Sequence, residues 1–395
     1  MDKHDFIDIY ILEAYNARFS GYNTFRKEFL KGLMQNDRLN LHIITEEFPT
    51  EQIRKEKKEG ITYLYIPKIN QNKFAALESY LATAIQNTPR MLFFSNFFPA
   101  IFNVKAIKKL FPHAKIIHVI HDFPWLPLFS GNEKRYIEYF QNNEKSILSP
   151  QDDKFVRYCT YDMIESFQSM DIVVSLCKTT YDMLNNFYDV PPEKIRLIPN
   201  GMEDVTLYPR NSEQDYIKQK HNLPKDGLLI VMVGRLTHSK GADRIVELLN
   251  RIDTSLKYHL IYVGEDDIYR WIPSVMTDSV ISLGFKSHSE MFEIYSVSDL
   301  GLFPSRHEQC SYTGIELLMY NIPVIATPAY GVRDMFDSTN SIVLSDFQHV
   351  ISLAEIESKR GVARENYLKK YTSERMINDY TSLIHELMER DAPHV

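Results

Sequence analysis

The chain has 395 residues, of which 44% are hydrophobic and 25% are charged, and its formal net charge is -7. This length exceeds the usual size of one domain, so two domains are expected. The negative net charge argues against a protein that coats nucleic acid, because that function needs a strongly basic surface. The composition therefore indicates a globular protein with a large core and no nucleic-acid partner.

The cysteines and the N-terminal residues give an expectation for the cellular compartment of the protein. Cys159, Cys177 and Cys310 are too few and too scattered for a disulfide framework or a zinc site. The opening stretch MDKHDFIDIYILEAYN has an apolar run that is too short and too acidic for a signal peptide or a membrane span. We therefore expect a protein of the cytoplasm.

Strand-like apolar runs alternate with helical periodicity through the first half of the chain, which is the βαβ pattern of a parallel sheet covered on both faces. A helix after the first run carries Phe25, Phe29 and Leu33 on one face. Residues 130–153 lack apolar periodicity and are expected to form a surface excursion. The runs are FIDIYIL (6–12), LHIIT (41–45), ITYLYI (61–66), MLFFS (91–95), KIIHVIHD (115–122), DIVVSL (171–176) and KIRLIP (194–199).

The same pattern restarts after a polar stretch at 200–227, whose Pro, Gly and charge content is typical of a linker. The sequence thus predicts two Rossmann-like, doubly wound α/β domains. Ligands in this architecture bind at the carboxyl ends of the strands. The second set of runs is LLIVMV (228–233), YHLIYVG (258–264), VISLG (280–284), DLGLFPS (299–305) and PVIAT (323–327).

The loop after LLIVMV carries two cations next to glycines. Gly234 lets the backbone turn after the strand, and Lys240 and Gly241 are expected to open a helix whose free N–H groups attract an anion. Arg235 offers a forked donor and Lys240 a compact charge, a combination that suits a diphosphate. The alternative interpretation is a helix cap with two solvated cations.

A second cluster lies in LFPSRHEQCSYTGIELLMYNIPVIAT, residues 302–327. Seven residues separate Glu308 from Glu316, and Glu316 falls within an apolar helical stretch. A half-buried carboxylate needs hydrogen-bond donors, and sugar hydroxyls supply them. The N–H groups of Cys310, Ser311 and Tyr312 precede or begin that helix, where a phosphate could bind.

Together, Gly234-Arg235, Lys240-Gly241, the Glu308 and Glu316 pair and NIPVIAT resemble the retaining glycosyltransferases of family 4. IPNG at 198–201 and YTSERMINDYTSLI at 371–384 extend the resemblance more weakly along the chain. The resemblance implies the GT-B fold, with two domains facing an interdomain cleft. We expect an acceptor-side domain at 1–200, a nucleotide-sugar domain at 201–372, and a final helix at 373–390 that packs back on the first domain.

The resemblance also implies residue roles. Arg235 and Lys240 would hold the donor diphosphate, Glu316 the nucleotide ribose and Glu308 the transferred sugar. His121 resembles the active-site histidine of the family, although it could also be a core histidine with satisfied nitrogens. Gly21 resembles the phosphate-side glycine loop.

The sequence departs from the family pattern at three places. A Ser20-Gly21 pair replaces the usual two glycines, which puts the donor pose in doubt. Gln309, Cys310 and Ser311 stand where glycine and aromatic residues are common, which puts sugar selectivity in doubt. YGVRD at 330–334 differs from the family's glycine-rich element, and no role follows for it.

The predicted function is transfer of a hexosyl unit, with retention, from a nucleoside-diphosphate sugar to an acceptor hydroxyl, with UDP-sugars favoured over GDP-sugars. No metal or other cofactor is expected, because the cations and N–H groups would stabilise the leaving phosphate. The acceptor, a lipid, a polysaccharide, a peptide or a small metabolite, stays open. The apolar segment 96–102, beside several lysines, is either a peripheral membrane contact or core beside a solvated face; the same two interpretations apply to the charged run 54–60.

Two alternatives remain. One is a metal-dependent GT-A transferase that uses the acids of GEDD (264–267), which more simply form a loop. The other is a non-catalytic GT-B protein that binds a nucleotide sugar and regulates a partner glycosyltransferase. Tight donor binding without release of nucleoside diphosphate would favour the second.

Overall fold

The computed structural model of the protein describes residues 6–14, 20–68, 73–96, 101–144, 147–207, 210–345 and 348–389. It divides the chain into two compact units. The first comprises Met1–Trp125, Arg135–Pro199 and Met376–Val395, and the second comprises Leu126–Lys134 and Asn200–Arg375.

The first unit is built on an eight-stranded sheet. Its strands are β1 (Ile7–Ala14), β2 (Leu39–Phe48), β3 (Arg54–Lys58), β4 (Ile61–Pro67), β5 (Met91–Ser95), β6 (Lys115–Ile120), β7 (Ile172–Ser175) and β8 (Ile195–Leu197). The helices from its part of the chain are α1 (Ser20–Leu33), α2 (Lys73–Ala84), α3 (Ile101–Leu110), α4 (Glu133–Gln141), α5 (Pro150–Ser169) and α6 (Lys178–Asn186).

The strand order in this sheet is β3-β4-β2-β1-β5-β6-β7-β8, and every neighbouring pair is parallel except β3 with β4. Every side chain of β5 is buried, as the predicted MLFFS strand requires when both faces of a sheet are covered. Phe25, Phe29 and Leu33 of α1 are also buried, which confirms the predicted apolar face.

One prediction for the first half of the chain is wrong, and one strand was not predicted. Residues 130–153 are not a surface excursion: they contain α4 and the start of α5, and Tyr136 of α4 stacks on Trp125 with ring centroids 4.3 Å apart. The charged run 54–60 contains β3, an edge strand that is mostly exposed on both faces and therefore lacks hydrophobic alternation. Segment 96–102 lies mostly outside the described residues, so its membrane contact stays a prediction.

The second unit is built on a six-stranded parallel sheet with the order β11-β10-β9-β12-β13-β14. Its helices and strands are α7 (Asn211–Lys220), β9 (Leu228–Val233), α8 (Ile245–Leu249), β10 (Tyr258–Val263), β11 (Val280–Ser282), α9 (His288–Ser296), β12 (Leu300–Phe303), α10 (Tyr312–Met319), β13 (Val324–Ala326), α11 (Val332–Met335), β14 (Ile342–Val343), α12 (Leu353–Lys359) and α13 (Val362–Lys370).

The predicted linker at 200–227 is only partly a linker. It contains α7, which is held to α9 because Glu293 accepts hydrogen bonds from Lys220 and pairs with the His221 ring, each at 2.7 Å. Few residues of α7 are apolar, so the sequence pattern predicts a polar linker at this position.

The last helix, α14 (Ser373–Glu389), returns to the first unit. Tyr380 packs against Phe29 with ring centroids 4.9 Å apart, and Arg196 donates a hydrogen bond to Glu386 at 2.7 Å. Helix α14 therefore belongs mainly to the first unit, although the chain before it, from Asn200, builds the second.

Candidate active site

The second sheet has a topological switch point between β9 and β12, because the chain runs outward from β9 to β10 on one side and places β12 on the other. Ligands of doubly wound sheets bind at such a point, beyond the carboxyl ends of the strands. The loops 234–241 and 304–311 follow β9 and β12 there. These are the loops that carry the predicted cations and the first predicted acid.

The structure brings Lys240 and Glu308 together. Lys240 Nζ lies 2.5 Å from Glu308 Oε1, and the two side chains are 35% and 11% exposed. The Glu308 backbone is fixed as well, because its N–H donates to the Tyr330 carbonyl at 2.9 Å. The family resemblance implied that Lys240 holds a phosphate and that Glu308 holds a sugar. In the structure these two side chains form an ion pair.

Two contacts from β10 and its following loop shape the turn at Gly234. The Tyr262 hydroxyl donates to the Gly234 carbonyl at 2.9 Å, and Asp266 accepts the Leu236 N–H at 2.6 Å. Gly234 has a φ of +119°, a conformation that side chains disfavour. Glycine is therefore required at the point where the loop leaves β9.

Glycine is also required at position 241, because its φ is +71° and a Cβ there would overlap the Pro304 carbonyl. The predicted helix start at this glycine is confirmed in position, although the first turn is 3₁₀ and α8 follows it at Ile245. Residues 242–244 form a 3₁₀ turn, and the N–H groups of Gly241 and Ala242 donate to loop carbonyls at 3.0 and 3.1 Å. Those two N–H groups are occupied, so the donors that this loop offers to an anion are side chains, Lys240 among them.

Arg306 ties the two loops together, a role that the sequence did not reveal. Its guanidinium donates to the His238 carbonyl at 2.6 Å and to both carboxylate oxygens of Asp243, at 2.7 and 2.6 Å. The pair holds the pKa of Asp243 below its usual value. Arg306 lies two residues before Glu308 and Asp243 lies three residues after Lys240, so this clamp joins the two short segments that carry Lys240 and Glu308.

Arg235, by contrast, is exposed and has no hydrogen-bond or ion-pair partner within the described part of the chain. Its position at the end of β9 places it on the same edge of the sheet as Lys240. An exposed guanidinium can reorient toward an anion without first breaking an ion pair.

The start of α10 is held by its own residues. Ser311 caps the helix by accepting the Gly314 N–H, and its own N–H points to the Met335 sulfur at 3.3 Å. The Cys310 N–H has no partner among the described residues. Burial raises the pKa of the Cys310 thiol to about 12, so this thiol is inert, while Tyr312 begins the helix as a buried residue.

Glu316 lies inside α10 and is 9% exposed. The hydroxyl of the buried Tyr295, on α9, donates to Glu316 Oε2 at 2.8 Å. Burial raises the pKa of Glu316 to about 7, although the Tyr295 hydrogen bond acts in the opposite direction. The predicted half-buried carboxylate is therefore present, and sequence spacing could not have identified its tyrosine partner.

A segment from the first half of the sequence completes this edge of the second unit. Residues 126–134 group with it, and Gly131 approaches so closely that a Cβ would overlap the Arg306 carbonyl. Arg333 donates to Glu133 at 2.6 Å, which joins this segment to α11. The YGVRD element, for which the sequence gave no role, thus anchors the segment.

The remaining two site residues lie in the first unit. His121 follows β6; its Nε2 is 3.1 Å from Asn96 Oδ1, and its ring packs against Tyr22 and Phe25. Burial lowers the pKa of His121 to about 3, so the imidazole is neutral. Gly21 lies exposed in the first turn of α1, with open space where a Cβ would project.

The acids of GEDD take part in local structure. Asp266 accepts the Leu236 N–H, and Asp267 accepts the Tyr269 N–H at 3.1 Å as a cap. Within the residues that the structure describes, no three His, Cys, Asp or Glu side chains are grouped as metal ligands. The loop interpretation of this segment therefore accounts for these two aspartates.

Two α/β units on mainly parallel sheets, with cations and acids at the switch point of the second, define a Rossmann-like ligand-binding protein. Family models identify it more closely. The model for Glycosyltransferase Family 4 matches residues 20–205, and the model for Glycosyl transferases group 1 matches residues 213–356.

Known proteins resemble the chain over nearly its whole length. An uncharacterized 41.2 kDa protein from the cps region of Klebsiella pneumoniae is 21% identical over 377 residues, which are 90% of this chain and 94% of that protein. Sucrose-phosphate synthase from Thermosynechococcus elongatus has a TM-score of 0.70 at 16% identity and covers 98% of this chain and 100% of its own. Anabaena HepE in complex with UDP has a TM-score of 0.66 at 12% identity, covering 96% and 100%.

The two models together match most of the chain, which is therefore a family 4-like glycosyltransferase with the GT-B fold. No helix in the described ranges is long and apolar enough to cross a membrane.

Proposed function

We propose that the protein transfers a hexosyl unit from a nucleoside-diphosphate sugar to an acceptor hydroxyl with retention of anomeric configuration. The observation that carries this proposal is the placement of Lys240, Glu308 and Glu316 on two loops and a helix beside the switch point of the second sheet. One cation and two carboxylates match the parts of such a donor: a diphosphate, a sugar and a ribose.

The Lys240 and Glu308 pair supports an exchange on donor binding. In the structure, each side chain satisfies the charge of the other at 2.5 Å. A diphosphate would take Lys240 as its partner, which frees Glu308 to accept hydrogen bonds from sugar hydroxyls. The Arg306 clamp keeps both groups in place during this exchange, so little reorganisation is needed.

The reaction needs stabilisation of the leaving group above all. The bond between the anomeric carbon and the β-phosphate oxygen breaks, a bond from the acceptor oxygen to that carbon forms on the same face, and the departing phosphate takes the acceptor proton. Lys240 and the exposed Arg235 stabilise the charge that develops on the phosphate. In this scheme no protein side chain acts as the nucleophile, and no metal is required.

Other assignments rest on the family resemblance. Neutral His121 is proposed to hold the donor sugar and Gly21 to lie beside the phosphates. The Ser311 N–H donates to Met335, so the N–H groups of Cys310 and Tyr312 are proposed to bind the phosphates. The Cys310 N–H, which has no partner among the described residues, supports this. A UDP-sugar is favoured, since the similar HepE structure contains UDP.

A cytoplasmic location is proposed as well. The three cysteines are free and buried, as in proteins of a reducing compartment. The acceptor class stays open.

Native mass spectrometry with UDP-glucose, UDP-galactose, UDP-N-acetylglucosamine and GDP-mannose tests the donor, followed by a coupled assay for nucleoside-diphosphate release with candidate acceptors. We expect one UDP-sugar to bind best and to be consumed only when an acceptor is present. NMR of the product should show the anomeric configuration of the donor. Failure of all four donors to bind, or an inverted product, would contradict the proposal.

A further inference from the structure

Tyr295 forms a hydrogen bond with Glu316, the residue that is proposed to bind the nucleotide ribose. Tyr295 is in the last turn of α9 and is only 1% exposed. Its hydroxyl donates to Glu316 Oε2 at 2.8 Å. Burying a phenol and a carboxyl group together is costly unless they satisfy each other, and this bond does so.

The two carboxylate oxygens of Glu316 differ in their hydrogen-bond partners. Oε2 has the Tyr295 hydroxyl as its donor, whereas Oε1 has no donor among the described residues. Glu316 also retains 9% exposure, so it is not sealed within the core. One oxygen therefore anchors the side chain, and the carboxylate keeps hydrogen-bonding capacity for a ligand.

We infer that Tyr295 is a positioning residue for nucleotide binding: it anchors Oε2 of Glu316 and leaves Oε1 to accept hydrogen bonds from the ribose hydroxyls of a nucleoside diphosphate. This inference rests on the proposed function. It adds to that function the residue that orients the ribose-binding acid.

The protonation state of Glu316 gives the inference a measurable signature. Burial raises the pKa of Glu316 to about 7, and the Tyr295 hydrogen bond lowers it. Tyr295 is the titratable group that acts on Glu316 within the described residues, and Tyr320 acts in turn on Tyr295. Ribose hydroxyls bind the ionised carboxylate better, so nucleotide affinity should rise as the pH increases through about 7.

The experiment is isothermal titration of the full chain with UDP, and in parallel with GDP and ADP, across the pH range around the Glu316 pKa. Tyr295→Phe keeps the ring and removes the hydroxyl. We expect it to weaken UDP binding about fivefold near neutral pH and to move the rise in affinity to higher pH. The difference should shrink at alkaline pH, where Glu316 is ionised in both proteins.

Three controls separate positioning from a structural effect. Tyr269→Phe removes a hydroxyl in the same unit that donates to the Val280 carbonyl at 3.4 Å, and it should leave the pH profile unchanged. Glu316→Gln should abolish the pH-dependent rise, and adding Tyr295→Phe to it should cause no further loss. UDP that lacks both ribose hydroxyls should bind Tyr295→Phe and wild type equally.

The outcomes are distinct. Wild-type protein that binds none of the three nucleotides would refute the proposed function, and the inference with it. Wild-type protein that binds UDP with no rise in affinity around the Glu316 pKa would overturn the inference alone. A Tyr295→Phe profile that matches wild type would also overturn it, while the proposed function would stand.

Discussion

Replacement of Lys240 by alanine tests the proposed donor site most directly. A charge-assisted hydrogen bond to phosphate contributes about 1.5 to 3 kcal/mol, so UDP affinity should fall about 10- to 100-fold. On the proposed function, charge on the β-phosphate grows as its bond to the anomeric carbon breaks, and Lys240 stabilises that charge. We therefore expect kcat/KM for transfer to fall further, by about 100- to 1000-fold.

The fold should survive this change. The Lys240 side chain is 35% exposed, so its removal creates no core cavity. Glu308, which is 11% exposed, loses its cation, and the cost to the free energy of unfolding should be about 1 kcal/mol. For units of this size, the melting temperature should drop by about 2 to 4 °C.

The assay pairs UDP titration with acceptor-dependent UDP release. Lys225→Ala is the matched control, because it removes an exposed lysine from the same unit, before β9 rather than after it. That variant should bind and turn over as wild type does. If Lys240→Ala stays within about twofold of wild type in both affinity and kcat/KM, the reasoning about the donor diphosphate is wrong.

Three further predictions follow from the loop geometry. Gly241→Ala should lower the melting temperature more than Gly284→Ala does, because both glycines have positive φ but only a Cβ at 241 would overlap the Pro304 carbonyl; equal melting temperatures would contradict this. Asp243→Asn should weaken UDP binding about 3- to 10-fold, because it weakens the ion pair between Arg306 and Asp243. UDP titration measures this change, and unchanged affinity would show that the ion pair does not support UDP binding. Turnover should persist in excess EDTA, since Lys240 supplies the positive charge at the phosphate; activity lost in EDTA and restored by Mg²⁺ or Mn²⁺ would favour a metal-dependent reaction.

Local patterns in the sequence predict the strands and the placement of the site residues on particular loops. Apolar runs such as MLFFS become fully buried strands, because parallel strands with both faces covered need that composition. Gly234 and Gly241 predict a sharply turning loop, and both have positive φ. Each of these features depends on residues that are close in sequence.

Contacts between distant residues could not be predicted in this way. Arg306 reaches Asp243 across 63 positions, and Tyr295 reaches Glu316 across 21 positions from a different helix. Edge strand β3 has no buried face to produce an apolar pattern. The helix start at Gly241 was predicted, but its free N–H groups were not found at Gly241 and Ala242, because loop carbonyls accept both.

Two pairs of opposite charges lie at the switch point of the second sheet. Arg306 and Asp243 neutralise each other, as do Lys240 and Glu308. Burial places the pKa of Glu316 near neutrality, which limits its negative charge. On the proposed function, an arriving diphosphate meets exposed Arg235 first and then displaces Glu308 from Lys240. The released carboxylate then turns to the sugar, so binding of the phosphates and orientation of the sugar are one coupled event.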